Sequence, residues 1–418
     1  MTARRTWRAA IRLALALLIS LPAQAAFAAV DRPGLDRAFR QWVDRDLRAE
    51  ARAAGISQQT FDAAMRGVSL DWEMPDLHPP GAPPDRPQQE HQAEFGSPGA
   101  YFSEKGLAGS VTQGRARIRQ WRSTLDAVEK RYGVPAGIIV AIWARESAFG
   151  QAAIPHSAVR TLATHAFIGR RKDFFRAELI AALQILQQGD VTPARMKSSW
   201  AGVLGQPQFL PSQVLRYAVD FDGDGRRDIW NSVPDTLASI AHYLREAGWN
   251  PARGWGLEAR VPASVSCTLE GPEQGKPFKE WARLGVTRID GGPLPARDGR
   301  KSFLLMPAGR HGPAFMVSEN FYVLKEYNFS DLYALYVGHL ADRLGDNRAF
   351  TAKWDKVGGF TRSDVRRMQL AFEREGRDVG GSDGLVGFKT RIAVGEWQAA
   401  NGRPVTCFPD AAMVKGIR

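Results

Sequence analysis

One glutamate falls on an apolar helical stretch, residues 134–150. The residues that share a face of this helix, at spacing i, i+3, i+4 and i+7, are Ile139, Ile142, Trp143 and Glu146. Burial raises a carboxyl pKa toward the range in which a general acid works at neutral pH. The same spacing also fits a glutamate at the edge of the stripe that reaches water, and periodicity alone favours that arrangement. Glu146 is therefore a candidate acid–base group with a structural alternative.

A second segment whose residues could bind a ligand is SSWAGVLGQPQFLPS, residues 198–212. Ala201, Gly202 and Gly205 leave its backbone open to a ligand, and the polar Gln208 stands at the head of the next helix. Backbone and amide groups arranged in this way can bind the hydroxyl and acetamido groups of a sugar polymer. A plain glycine-containing turn between helices is the simpler alternative, and the segment taken by itself favours it.

Aspartates are concentrated in a third segment, DFDGDGRRDIWN. Three of them stand at positions 1, 3 and 5, with glycine at position 6, which is the pattern of a calcium loop. Position 12 is Asn231 in place of the usual bidentate glutamate, and Asp235 follows as a late carboxylate. The predicted ligand set is Asp220, Asp222, Asp224, Arg226 and Asp235. A weak structural Ca²⁺ site is expected here, and an acidic turn without metal is the alternative.

Taken together and in this order, the segments resemble the type-B lytic murein transglycosylases over residues 36–345. The resemblance depends on Ile138-x-Val140-Ala141-Ile142, Glu146-Ser147-x-Phe149-Gly150, Ser199-x-Ala201-Gly202, Gln208-Phe209-x-Pro211-Ser212, the loop from Asp220 to Trp230, Tyr327-Asn328 and Tyr333-Ala334. The chain departs from the family in Gly202-Val203-Leu204-Gly205, where Gly-Ala-Met-Gly is usual, and in the proline-rich residues 75–94. The first departure affects the shape of a sugar subsite and not the reaction.

The resemblance implies a mainly α (α+β) fold: a lysozyme-like helical catalytic domain with a small β-containing insert. It implies that Glu146 is the single catalytic carboxylate. The residues implied to line the substrate groove are Ser199, Gln208, Tyr243, Tyr327, Asn328 and Tyr333.

The last sixty residues form a unit of their own. An amphipathic helix with Val365, Met368 and Phe372 on one side precedes a glycine-rich turn and a second helix with Trp397 and Gln398. The unit resembles a peptidoglycan-binding domain of three helices. About sixty residues is near the lower limit for an independent core, and no catalytic constellation appears in the unit. Its expected role is to tether the enzyme to an insoluble polymer.

The chemistry implied by the resemblance needs one carboxylate, although glycoside hydrolysis normally uses two. Glu146 would cleave the β-1,4 bond between N-acetylmuramic acid and N-acetylglucosamine of peptidoglycan glycan strands, leaving 1,6-anhydro ends and requiring no cofactor. Two alternatives remain open: a lysozyme-type hydrolase of the same bond, and a non-catalytic cell-wall-binding scaffold, against which the presence of Glu146 argues.

The beginning of the chain predicts export. Four arginines precede the apolar run 13–21, which is too short to span a bilayer, and an Ala-x-Ala site follows. We expect a signal peptide over residues 1–28, a soluble periplasmic protein without a stable membrane anchor, and therefore no nucleic-acid partner. Other cell-wall synthesis or hydrolysis proteins are expected partners.

Length and composition bound the organisation of the rest. With 418 residues, 44% hydrophobic and 24% charged, the chain is globular and holds two to three domains. The expected layout is a catalytic domain over 34–345, a linker over 346–358 and the binding domain over 359–418. Whether Cys267 and Cys407 form a disulfide cannot be read from the sequence.

Overall fold

The structure is a computed structural model that describes residues 30–81, 98–295 and 299–417. The expected signal peptide, residues 1–28, lies outside the described residues, and so does most of the proline-rich segment. Within the described ranges, no helix has both the length and the apolar character needed to cross a membrane.

The amino-terminal half is almost entirely helical, as its periodicity predicts. Its helices are α1 (Arg32–Trp42), α2 (Arg48–Ala53), α3 (Gln58–Met65), α4 (Glu104–Gln120), α5 (Arg122–Tyr132), α6 (Ala136–Ser147), α7 (Ala158–Ile168), α8 (Lys172–Gln188), α9 (Pro211–Tyr217) and α10 (Val233–Glu246). A π-helical turn, Val43–Leu47, joins α1 to α2. Two short strands, β1 (His156–Ser157) and β2 (Lys197–Ser198), pair antiparallel beside α7.

Helix α6 is the centre of this helical part. It is apolar on nearly every side, and its residues from Ile138 to Trp143 are all buried. A helix that is hydrophobic all round must be covered by neighbours, and α6 packs against α4, α5, α10 and a later helix, α13 (Asp331–Gly345). The last turn of α6 is therefore fixed by a rigid core.

The middle of the chain forms the small β-containing insert. Its strands are β3 (Gly256–Arg260), β4 (Lys276–Pro277), β5 (Thr287–Arg288), β6 (Lys301–Leu305) and β7 (Ala314–Val317), in the antiparallel order β4-β6-β7-β3-β5. Leu257 stands opposite Met316. Helix α11 (Phe278–Arg283) buries Trp281 in a separate core beneath the sheet.

The chain then returns to helices. They are α12 (Glu319–Asn328), α13, and three further helices, α14 (Arg362–Arg374), α15 (Phe388–Ala400) and α16 (Ala411–Gly416). Helices α14 to α16 enclose a small core of their own that contains Met368, Phe372 and Val394. We call residues 359–417 the C-terminal module. The mainly α fold with a small sheet confirms the fold class expected from the sequence.

The C-terminal module is attached to the rest of the molecule by a covalent bond. Cys267, in the insert, and Cys407, in the module, form a disulfide across a sequence separation of 140 residues. The segment that the sequence suggested as a linker is packed as well, because the Trp354 ring stacks on Phe102 with ring centroids 5.2 Å apart. The module is therefore held against its neighbours.

Candidate active site

Glu146 lies in the last turn of α6 and is partly exposed. Its Oε1 accepts a hydrogen bond of 2.5 Å from the hydroxyl of Tyr333, a buried residue of α13. Desolvation by the surrounding protein raises the pKa of Glu146 to about 7, although the Tyr333 hydrogen bond and nearby Arg145 lower it. A carboxyl group with this pKa can both donate and accept a proton near neutral pH.

The backbone turns sharply after Glu146. Ala148, Phe149 and Gly150 all have positive φ angles, of 48°, 61° and 78°, and such angles are costly for side chains other than glycine. The turn is closed by hydrogen bonds: Phe149 N–H donates to the Trp143 carbonyl (3.2 Å), and Gly150 N–H donates to the Ser147 hydroxyl (3.0 Å). The strained turn ends α6 directly after the carboxylate.

Three tyrosines form a wall beside Glu146. Tyr333 and Tyr327 are stacked with centroids 6.3 Å apart, and Tyr243 meets Tyr327 edge-on at 4.9 Å. Burial raises the pKa values of Tyr327 and Tyr333 well above 10 and that of Tyr243 to about 12. All three hydroxyl groups therefore keep their protons and act as hydrogen-bond donors at neutral pH.

The tyrosine hydroxyls have different acceptors. Tyr243 donates to the carbonyl of Glu326 (2.7 Å) and Tyr327 donates to that of Pro207 (2.8 Å). Tyr333 is the member of the wall that donates to the carboxylate. Only the family resemblance predicted that these residues lie close together, because they belong to three different helices.

The segment after β2 folds as a compact loop that reaches this wall. Ser199 accepts a hydrogen bond from Ala201 N–H (3.1 Å), and Gln208, at φ 53°, donates from its side chain to the Gly205 carbonyl (2.8 Å). A side chain on Gly202 would lie 2.5 Å from Leu162, so only glycine fits there. Pro207, which precedes Gln208 in the chain, connects this loop to the wall, because its carbonyl accepts the hydrogen bond from the Tyr327 hydroxyl.

Asn328, the last residue of α12, is exposed. It lines a cavity of about 500 Å³ between the turn that joins α12 to α13 and the C-terminal module. The residues that line this cavity include neither Glu146 nor the three tyrosines, so the structure does not bring Asn328 into the same cavity as the other expected groove residues.

Gln206 is a site residue that the sequence analysis missed. Its buried side chain accepts a hydrogen bond from Trp143 Nε1 (2.8 Å) and donates one to the Trp230 carbonyl (3.0 Å). A side chain on Gly150 would lie 2.4 Å from its amide oxygen. Gln206 therefore connects the end of α6 to the acidic loop, and nothing in the periodicity around Gly205 and Pro207 shows that it is buried.

The acidic loop brings three carboxylates together. One oxygen from each of Asp220, Asp222 and Asp235 lies within 4.8 Å of the others, and Asp224 is not part of this group of carboxylates. Arg226 could take part only through its backbone carbonyl. Three carboxylates fit the preference of Ca²⁺ for hard oxygen ligands, of which it takes about six to eight. This donor set is consistent with a calcium site.

Asp235 is the buried member of that group. It accepts hydrogen bonds from the backbone N–H groups of Phe221 (2.8 Å) and Asp228 (2.9 Å). Desolvation raises its pKa, and these hydrogen bonds lower it. Asp235 therefore holds the two ends of the loop backbone together through these hydrogen bonds.

Comparisons with known proteins agree with this geometry. A family model described as "Transglycosylase SLT domain" matches residues 38–342. The membrane-bound lytic murein transglycosylase B of Escherichia coli (strain K12) is 30% identical over 232 residues, which are 55% of this chain and 63% of that protein. The chain therefore spans less than two thirds of the length of that relative.

Solved structures extend the likeness. SltB3 from Pseudomonas aeruginosa, in complex with NAG-anhNAM-pentapeptide, is 40% identical, with a TM-score of 0.78 over 91% of this chain and 99% of that chain. The catenated lytic transglycosylase SltB1 from the same organism is 29% identical, with a TM-score of 0.58 over 73% of this chain and 98% of that chain.

Proposed function

Because the chain belongs to the family of transglycosylase SLT domains, we propose that it is a lytic murein transglycosylase. It cleaves the β-1,4 bond between N-acetylmuramic acid and N-acetylglucosamine in peptidoglycan and leaves 1,6-anhydromuramic acid ends. The observation that carries this proposal is a carboxyl group with a pKa of about 7, Glu146, held by Tyr333 at the end of a rigid helix. The structures of SltB3 in complex with NAG-NAM-pentapeptide and with NAG-anhNAM-pentapeptide support the same substrate class.

The reaction uses Glu146 twice. Its protonated carboxyl donates the proton to the glycosidic oxygen as the bond from that oxygen to C1 of the muramoyl residue breaks, while the muramoyl 2-acetamido oxygen stabilises the positive charge on C1. The carboxylate then takes the proton from the C6 hydroxyl, whose oxygen forms the new bond to C1. No water is consumed, and the pKa near neutrality suits both steps.

The surrounding residues bind and orient. Tyr333 holds one carboxylate oxygen of Glu146, so the other faces the substrate. The groove is lined by Ser199, Gln208, Tyr243, Tyr327, Asn328 and Tyr333. Because the three tyrosine hydroxyls keep their protons and donate hydrogen bonds to Glu146 and to the Glu326 and Pro207 carbonyls, they hold the wall in place without competing for the proton of Glu146.

A structural calcium ion accompanies this proposal. Asp220, Asp222 and Asp235 would hold it, with the Asp224 carboxylate and the backbone carbonyl of Arg226 as the further ligands that the sequence suggests. The ion would neutralise clustered negative charge and stabilise the loop that Gln206 connects to α6. It takes no part in the proton transfers, and the reaction needs no cofactor.

Location and attachment complete the proposal. The C-terminal module binds peptidoglycan and raises the local concentration of the enzyme at its insoluble substrate. Residues 1–28 direct export, so the enzyme works in the periplasm, where other cell-wall synthesis or hydrolysis proteins are its neighbours.

The test is mass spectrometry of the products released from purified glycan strands. A transglycosylase leaves anhydro ends, which are lighter by one water than the reducing ends left by a lysozyme-type hydrolase. We expect anhydro ends from the wild-type protein and none from Glu146→Gln, which cannot exchange the proton. Reducing ends would replace the proposal by hydrolysis, and no release at all would favour a non-catalytic scaffold.

A further inference from the structure

A buried group of charges joins the C-terminal module to the catalytic part. The guanidinium of Arg391, on α15, donates to both oxygens of Glu270 (2.9 and 3.0 Å) and to Asp331 Oδ2 (2.8 Å). It also donates to the Val386 carbonyl (2.9 Å), and Lys325 pairs with the other oxygen of Asp331 at 2.7 Å. Arg391 is 2% exposed and Glu270 0%. Two cations and two carboxylates thus balance one another, with Arg391 and Glu270 buried and Lys325 and Asp331 retaining a small exposed fraction.

Three parts of the fold meet in this group. Glu270 belongs to the insert and follows Cys267 by three residues, and Cys267 is bonded to Cys407 of the module. Gly395, one turn beyond Arg391 on α15, lies so close to the disulfide that a side chain there would be 2.4 Å from the Cys407 sulfur. The disulfide and the ion pairs therefore fasten the same face of α15.

The third part is α13, the helix that reaches the active site. Asp331 is the first residue of α13 and Tyr333 is the third, and the Ser330 side chain caps the helix by accepting a hydrogen bond from Tyr333 N–H (3.3 Å). The hydroxyl of Tyr333 donates to Glu146. A shift of the first turn of α13 must therefore move the group that orients the carboxylate.

We infer, on the basis of the proposed function, that Arg391 is a positioning residue for the reaction: by holding Asp331 it fixes the first turn of α13 and so the hydroxyl of Tyr333 against Glu146. The C-terminal module then contributes to turnover as well as to substrate retention. It does so without touching the sugar or the reacting atoms.

The energetics favour a strong effect. Removing one partner of a buried ion pair leaves an uncompensated charge, which is strongly unfavourable and is relieved by local movement or by entry of water. Without Arg391, the group keeps one cation, Lys325, beside the two carboxylates of Glu270 and Asp331. Displacement of a catalytic group by about 1 Å can cost about 100-fold in rate.

The test compares two isosteric changes in the full mature chain, with soluble glycan strands too short to depend on tethering. Asp331→Asn weakens the link between Arg391 and α13, whereas Glu270→Gln weakens the link to the insert and leaves α13 held. We expect kcat to fall by about tenfold or more for Asp331→Asn and Arg391→Met, with KM little changed, and to stay within about twofold for Glu270→Gln. Arg377→Met is the matched control, because Arg377 pairs with Glu375 and Glu396 inside the module.

A double-mutant cycle separates positioning from a general loss of stability. If Arg391 acts through Tyr333, then Arg391→Met must reduce kcat much less in a Tyr333→Phe background than in the wild type. Equal reductions in both backgrounds, or equal kcat values for Asp331→Asn and Glu270→Gln, would overturn the inference. Anhydro products from the wild type report on the proposed function separately, so the two failures are distinguishable.

Discussion

Glu146 keeps its proton to an unusually high pH because the surrounding protein desolvates its carboxyl group and so disfavours the ionised form. Since the proposed first step needs the protonated carboxyl, we expect kcat on soluble strands to fall as the pH rises through about 7. The Tyr333 hydrogen bond lowers this pKa, so Tyr333→Phe should move the midpoint upward. Rates measured across the pH range check both statements, and a midpoint near the ordinary glutamate value of 4.5 would contradict them.

The same residue affects stability with a definite sign. The pKa of Glu146 is higher in the folded protein than its ordinary value, so its contribution is neutral below about pH 4.5 and destabilising, by up to about 3 kcal/mol, above about pH 7. We therefore expect Glu146→Gln to raise the melting temperature relative to the wild type at about pH 8 and not at about pH 4. An equal shift at both values would mean that another interaction is responsible.

Gln206 shows how a single amide can connect two regions of the site. Replacing it with Leu leaves Trp143 Nε1 and the Trp230 carbonyl without their partner, which we expect to lower the free energy of unfolding by about 2–4 kcal/mol. Chemical denaturation measures the loss. The control is Gln187→Leu, which removes an exposed side chain that accepts from Ser57 and should cost less than about 1 kcal/mol. Similar losses for the two variants would show that the connection is unimportant.

At the scale of elements, local pattern predicted the helices well and their junctions poorly. The spacing around Glu146 predicted α6, yet α6 ends at Ser147 because the next three residues adopt positive φ angles. Burial of Gln206 depends on Trp143 and Trp230, which are distant in sequence, so no local signal reports it. The tyrosine wall could be predicted only from the resemblance to the family, because no sequence periodicity relates residues on α10, α12 and α13.

The acidic loop is the element for which a ligand changes stability. If Asp220, Asp222 and Asp235 hold Ca²⁺, millimolar calcium should raise the melting temperature and a chelator should lower it, with a dissociation constant of ~10⁻⁴ to 10⁻³ M. Asp222→Asn should abolish this dependence. Asp126→Asn, which removes a carboxylate on α5, should not. A melting curve identical in calcium and chelator would leave an acidic turn that its own backbone hydrogen bonds stabilise.

At the scale of the whole molecule, the sequence predicted the parts and could not predict how they are joined. Residues 359–418 were expected to be a small helical unit on a linker, and the three helices are present within the described residues 359–417. The sequence left open whether Cys267 and Cys407 are paired, and it gave no sign that Arg391 is buried against Glu270. Both facts are properties of an interface between distant segments. Whether the module also binds peptidoglycan stays a prediction.

The disulfide should make a large contribution to overall stability. It closes a loop with a sequence separation of 140 residues, and constraint of the unfolded chain on this scale is worth about 5 kcal/mol. We expect Cys267→Ser with Cys407→Ser to lower the free energy of unfolding by about that amount. Adding a reductant should destabilise the wild type and leave the double variant unchanged. A reductant effect of equal size on both proteins would point to a different cause.

This covalent ring also determines what happens to the protein when a protease cuts it. The ring runs from Cys267 to Cys407 and contains Tyr327 and Tyr333, whereas Glu146 lies outside it. One cut anywhere inside the ring opens the backbone without releasing a fragment, because the disulfide still joins both pieces. Such a nicked protein migrates as one species on a non-reducing gel and as two after reduction, and the two sides of its active site remain on the same molecule.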